Sequence, residues 1–375
     1  MFTPEIYQLA RAYQGVHVSC IAIMIFIVGY KYSKFEVNRI YNVGRESIIP
    51  SSLLVMVMVL FIGMRPISLA FVDMVGYAEA MIYHTYENIE VTWSNNYLFT
   101  PMMAYLSSHG ASPRDPILIL ALINIVSNFI AVRKLFPNDT LLALLTIFGS
   151  FVYFPTAVNG IKAGCAAGLL LCSIAYREKL LVSLLFLFLS FGFHHSMQMA
   201  VGAYAVCFVF RNSKLYFAIW AFCLLCAMLG VQDFQEWFGT MTDESGAGYL
   251  LTEIEDSSFG GRTGFRYDFV LYSSVPVVVG YIAVFKKNIK SEVYSFILNM
   301  YLLLNGIWML CMYAPYTNRI AEIPWSIFPI ALIYPLLRER WGENQFSLAR
   351  TLIYGNVAFT LFMNFVYYAY IHLDR

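Results

Sequence analysis

Apolar residues run along this chain in unbroken blocks, each close to the ~20 residues a helix needs to cross a bilayer, with short polar breaks between them. The blocks fall at 13–31, 48–64, 115–132, 139–157, 158–176, 178–193, 194–210, 214–231, 267–285, 291–313, 319–337 and 350–370. Continuous runs predict helices, whereas a membrane barrel would alternate polar and apolar positions. The pattern predicts about twelve transmembrane helices. A weaker run at 97–109 is too short to cross and is expected as a re-entrant or interfacial segment. The expected fold class is all-α: a polytopic integral membrane helical bundle forming a single transmembrane domain over residues 1–375, with no internal repeat. The first block begins near Tyr13 and continues as a full span without a small-residue cleavage site, so no signal peptide is expected to be removed.

The polar breaks differ in charge. Basic residues gather at Lys31, Lys34, Arg39 and Arg45, at Arg133 and Lys134, at Arg177 and Lys179, at Arg211 and Lys214, at Lys286, Lys287 and Lys290, and at Arg338, Arg340 and Arg350. Basic loops stay cytoplasmic. Placing all these clusters on that side gives a self-consistent path if 97–109 does not cross, and the N-terminus then lies outside. The other face receives two long periplasmic loops, at 65–114 and 232–266. Loops of more than ~15 residues between closely spaced helices are often functional. The first carries Arg65, Asp73, Tyr77, His84, His109 and Arg114. The second carries an acidic stretch from Asp233 to Asp256, then Arg262 and Arg266. The 157–162 turn, the His194-His195 turn and Arg319 fall on the same face.

Composition agrees with the pattern. The chain is 59% hydrophobic and 13% charged, against about 25% charged in a soluble domain. A net charge of +1 argues against nucleic acid as a partner. All seven cysteines lie in apolar stretches. Cys223 and Cys226 have the spacing of a redox or metal pair, but their context, Trp220 to Met228, is a membrane helix, and they read as packing residues.

An arginine at the bilayer centre costs roughly 2.5–3.5 kcal/mol on insertion scales. Arg319, with Asn318 at the mouth of an apolar block, is therefore expected to face a cavity or a partner. Glu322, one turn on, offers the plainer alternative of a helix-end ion pair. Arg65, just past the second block, is either a ligand or an interfacial anchor. Asp73 and Tyr77, at i,i+4, share one helix face if that stretch is helical; otherwise they are a loop acid and an interface aromatic. Lys162 lies among small residues that let helices approach closely, and it either faces a cavity or snorkels. His194 could act as a general base, donate to a phosphate, or serve structure alone. No Gly-x-Ser-x-Gly elbow supports Ser196 as a nucleophile, and no His/Asp/Glu spacing marks a catalytic metal. Neither a metal nor a cofactor is expected. Glu253, Glu255 and Asp256 are close enough in sequence to pair with Arg262 and Arg266 or to touch a polar ligand. Together the cations of the outer face, beside a histidine and a carboxylate, suit a lipid-linked phosphate or pyrophosphate. Arginine forks grip phosphate oxygens and stabilise a departing pyrophosphate.

In their order the motifs resemble those of the EpsG/Wzy-type polysaccharide polymerases. The matching segments are Gly63-Met64-Arg65, Asp73 to Tyr77, Asn159-Gly160-Ile161-Lys162, Phe193-His194-His195-Ser196 and Asn318-Arg319-Ile320. Two positions depart from the family pattern: Lys162 stands where an arginine is usual, and Met74 where a small polar residue is usual. The resemblance implies a bacterial inner-membrane, multi-pass glycosyltransferase, similar to the lipid-donor (GT-C-like) class, with its active site facing the periplasm. It would join undecaprenyl-pyrophosphate-linked oligosaccharide repeat units into O-antigen, capsule or exopolysaccharide. It implies catalytic roles for His194, Asp73 and Arg319, and contact with pyrophosphate or sugar by Arg65, Lys162, Arg266, Arg262, Tyr77 and Asn318. Membrane lipid surrounds such a protein, and a chain-length regulator could partner it. A flippase of lipid-linked sugars would show internal repeats or charges spread through the membrane depth, and neither is seen. A membrane O-acyltransferase would need a histidine near a cytoplasmic acyl donor, whereas His194 falls outside.

Overall fold

Each apolar block but one becomes a single helix. The computed structural model describes residues 4–32, 34–35, 39, 44–92, 96–235, 238, 264–314 and 317–367, and the regular structure among them is helical. In chain order the helices are α1 (Pro4–Tyr32), α2 (Ile48–Gly63), α3 (Val72–Ile82), α4 (Phe99–Ser108), α5 (Asp115–Leu135), α6 (Thr140–Phe148), α7 (Tyr153–Val158), α8 (Ile161–Ala175), α9 (Leu180–Phe193), α10 (Gln198–Val209), α11 (Ser213–Met228), α12 (Tyr267–Tyr281), α13 (Glu292–Leu310), α14 (Asn318–Arg338) and α15 (Gln345–Phe362). Among the described residues six helices are long and apolar enough to span a membrane, and α2, α8, α9 and α11 are shorter apolar helices. Local signals set the ends. Ser47, Asn212 and Ser291 cap α2, α11 and α13 through their side chains. Asp115 and Pro116 open α5, and Arg133 and Lys134 close it, in the order the helix dipole favours.

The exception is the block at 139–157. It breaks into α6 and α7 across a turn at 149–152. A Cβ on Gly149 would lie 2.9 Å from Ile25 Cδ1, so α1 crosses closely at the break. The Gly149 carbonyl, released from helical bonding, accepts from Thr360 Oγ1 of α15 at 3.0 Å. Both flanks are apolar, which is why the hydrophobic pattern runs straight through the break. The weak run at 97–109 is the ten-residue α4, shorter than a span as expected. The acidic stretch of the second long loop falls mostly in 239–263, outside the described residues.

Small residues draw the inner helices together. A Cβ on Gly168 of α8 would come within 2.9 Å of the Asn124 carbonyl of α5. Asn128 Nδ2 bonds the Asn124 carbonyl at 2.9 Å and its side-chain oxygen at 2.8 Å. α14 is the most buried of the spanning helices. Its interior prolines, Pro324, Pro329 and Pro335, cannot donate to the carbonyls four residues earlier. Trp325 of α14 sits in an aromatic cluster with Phe269, Tyr272 and Trp308, at ring distances of 5.0, 5.6 and 5.4 Å.

The bundle has two unlike ends. At one, the basic clusters collect: Arg39 pairs with the buried Asp139 and stacks on Phe346, and Arg133 donates to the Glu46 carbonyl at 2.8 Å. Lys134 faces Glu178 at 3.7 Å. At the other end lie the starts of α3, α8 and α14 and the end of α9.

Candidate active site

Two helix N-termini meet at this second end. α8 begins at Ile161 with Lys162 in its first turn, and α14 begins at Asn318 with Arg319 in its first turn. A cation there opposes the helix dipole, whose positive end already lies at the N-terminus. Such an arrangement costs stability unless an anion offsets it, and helix N-termini are ready anion sites. A methyl group placed on Gly160, the N-cap of α8, would lie 3.8 Å from Glu322 Oε2 of α14, so the two ends are neighbours.

Carboxylates stand against these cations. Asp73 lies in the first turn of α3 and interacts electrostatically with both Arg319 and Lys162. Burial raises its pKa above the ordinary carboxylate range, and the two cations pull it back. Glu322 interacts with Arg319 and with Asp73. It is half-buried. Among the described residues no salt-bridge contact within 4.0 Å joins Arg319 to Glu322, and the two act on each other electrostatically at longer range. Arg319 and Asn318 are exposed at the mouth. Lys162 Nζ lies 5.1 Å from the centre of the Phe99 ring of α4, and Tyr77, one turn beyond Asp73, meets the same ring edge-on at 5.4 Å. Asp73 and Tyr77 do share one helix.

Arg65 is elsewhere in chemical terms. It is 1% exposed, with one guanidinium nitrogen on the Val158 carbonyl at 2.7 Å, another on the Ile62 carbonyl, and Phe71 beneath it. Burial lowers its pKa to about 10, which still leaves it charged at neutral pH. The structure shows a clamp that ties the end of α2 to the turn before α8. The fork of Arg266 is occupied by Asp268, at 3.0 and 2.7 Å, and lies over Phe269. Arg262 lies outside the described residues.

His194 ends α9. Its Nδ1 accepts from the Ser196 backbone N–H at 3.2 Å and lies 2.6 Å from Ser196 Oγ. A ring nitrogen that accepts from an N–H carries no proton, so the proton sits on Nε2 and the neutral ring is a donor there. That geometry suits a hydrogen bond from Nε2 to an anion. The turn is held to α4 by Asn96 Oδ1, which accepts from His195 N at 2.7 Å, and by Leu98 N donating to the Gly192 carbonyl at 2.9 Å.

Sequence reasoning took Glu322 only as a partner for Arg319. The signal that marks it is an ionisable residue inside an apolar block, the same signal that marked Arg319. Phe99 and Gly160 carry no signal of their own; only the helix contacts bring them to the cleft. A sequence-family model described as the EpsG family matches residues 48–372. No curated protein matches the chain, and no solved structure does.

Proposed function

Because the chain belongs to the EpsG family, the family of Wzy-type polysaccharide polymerases, we propose that it is the integral membrane glycosyltransferase that joins lipid-linked oligosaccharide repeat units into a longer polysaccharide. The donor is an undecaprenyl-pyrophosphate-linked chain, and the cleft opens to the periplasm of the inner membrane. The supporting observation is the pair of helix N-termini, each with a cation in its first turn, abutting around carboxylates. That cleft fits an anion with a polar group beside it.

In the reaction, a hydroxyl of the acceptor's terminal sugar attacks the anomeric carbon of the donor chain. The new C–O bond forms as the bond to pyrophosphate breaks, and lipid pyrophosphate leaves with the electron pair. Arg319 and Lys162 hold the pyrophosphate and stabilise the charge that develops on it. The Nε2–H of His194 donates to the same anion. Asn318 and Tyr77 line the mouth on either side. Arg65 acts by holding the Val158 turn, and hence Lys162, in place. Arg266 would meet the donor only by exchanging Asp268 for phosphate. A carboxylate of the cleft takes the hydroxyl proton.

The test is direct. The purified protein in a bilayer, given an undecaprenyl-pyrophosphate-linked repeat unit, should produce a ladder of products on a gel. A single band of unchanged length, with folded protein present, counts against the reading.

A further inference from the structure

We propose that Glu322 is the general base of this site: it takes the proton from the attacking hydroxyl of the acceptor sugar. The inference rests on the polymerase reading and assigns one residue within it.

Three observations lead there. First, the two carboxylates of the cleft are placed differently. Asp73, in the first turn of α3, faces two cations, Arg319 and Lys162. Its charge is committed to balancing the pair that holds the pyrophosphate. Glu322 is half-buried, with Arg319 as the cation and Asp73 as the anion acting on it. With one cation acting on it where Asp73 has two, Glu322 is the carboxylate less committed to counter-ions.

Second, Glu322 lies three residues further along α14 than Arg319. At 1.5 Å per residue that is about 4.5 Å deeper, which separates the proton acceptor from the phosphate clamp while keeping both in one cleft.

Third, Gly160 borders it. Gly160 has φ of −76°, which any residue adopts. A Cβ there would meet its neighbours at 3.7–3.8 Å, ordinary contact. Neither backbone nor packing calls for glycine. One of those neighbours is Glu322 Oε2, so a side chain at 160 would stand beside that oxygen and narrow the approach to it. The Nδ1 of His194 is engaged with Ser196.

The step is balanced. The hydroxyl proton moves to Glu322, the sugar oxygen bonds the anomeric carbon, pyrophosphate departs, and the proton passes later to solvent.

The test uses the full chain in a bilayer, with a lipid-linked repeat unit as substrate and undecaprenyl pyrophosphate as binding probe. Glu322→Gln should lower kcat by about 100-fold or more, while binding of undecaprenyl pyrophosphate and KM change little. Arg319→Ala should instead lose binding of the probe. Gly160→Ala should accumulate normally and lose turnover at least about tenfold, since the methyl crowds the approach to Oε2. If Glu322→Gln fails to accumulate, the Gly160→Ala result decides, and wild-type turnover in it overturns the assignment. Turnover of Glu322→Gln within about threefold of wild type, with Asp73→Asn inactive, also overturns it. A wild-type protein that makes no ladder would instead sink the polymerase reading, a separate failure.

Discussion

Lys162 and Arg319 occupy matching positions, each in the first turn of a helix, yet they should not respond alike to substitution. Arg319 is exposed at the mouth of the cleft, so Arg319→Ala should abolish chain extension while leaving protein level near normal. Arg319→Lys should rescue poorly, because an ammonium lacks the guanidinium fork. Lys162→Arg should be tolerated, since arginine keeps the charge and also stacks on a ring such as Phe99. Polymer length and membrane protein level for these variants check the set. Loss of protein in Arg319→Ala would point to a structural role. Arg65 predicts the reverse signature. Arg65→Met removes charge-assisted bonds to two buried carbonyls, at about 2–3 kcal/mol. Its thermal midpoint in detergent and its accumulation should both fall; normal stability with lost turnover would return Arg65 to the substrate.

At the scale of elements, α8 places Lys162 because its glycine face lets it sit against α5 and the Thr156 turn. A Cβ on Gly164 would lie 2.6 Å from the Thr156 carbonyl and 3.0 Å from Asn124 Nδ2. Backbone cannot give way there cheaply. Gly164→Ala should destabilise by about 1–3 kcal/mol and shift the start of α8. Gly355, exposed on α15, would meet nothing within 4 Å, so Gly355→Ala should stabilise by about 0.5–1 kcal/mol. Thermal unfolding of the two variants in one detergent measures the contrast, and equal midpoints would mean that the α5–α8 approach is looser than described.

The whole molecule sorts its charges. The basic clusters share one end, and Lys162, Asp73, Arg319 and Glu322 share the other. If the basic end is cytoplasmic, a cysteine at exposed Ser112, beside the N-terminus of α5, should react with an impermeant thiol reagent in intact spheroplasts. One at exposed Asn288, between α12 and α13, should react only after lysis. Cys20, the exposed native cysteine, is replaced by serine in both. The reverse pattern of labelling would invert the orientation and move the cleft to the cytoplasm.

The residues alone determine that the chain is helical, where nearly every helix runs and which ends carry positive charge. Those properties follow from local apolar length and local charge, and both are written in consecutive positions. They also mark Arg319, Lys162 and Asp73, because an ionisable group beside an apolar run is conspicuous by cost. What tertiary structure decided is who meets whom. It broke the block at 139–157, since a glycine crossing with α1 and a hydroxyl from α15 are contacts between distant segments. It buried Arg65 against the Val158 carbonyl, which only the fold brings within reach. It also set Glu322 against Gly160 across two helix ends, a proximity that depends on helix packing and has no trace in the spacing of either residue.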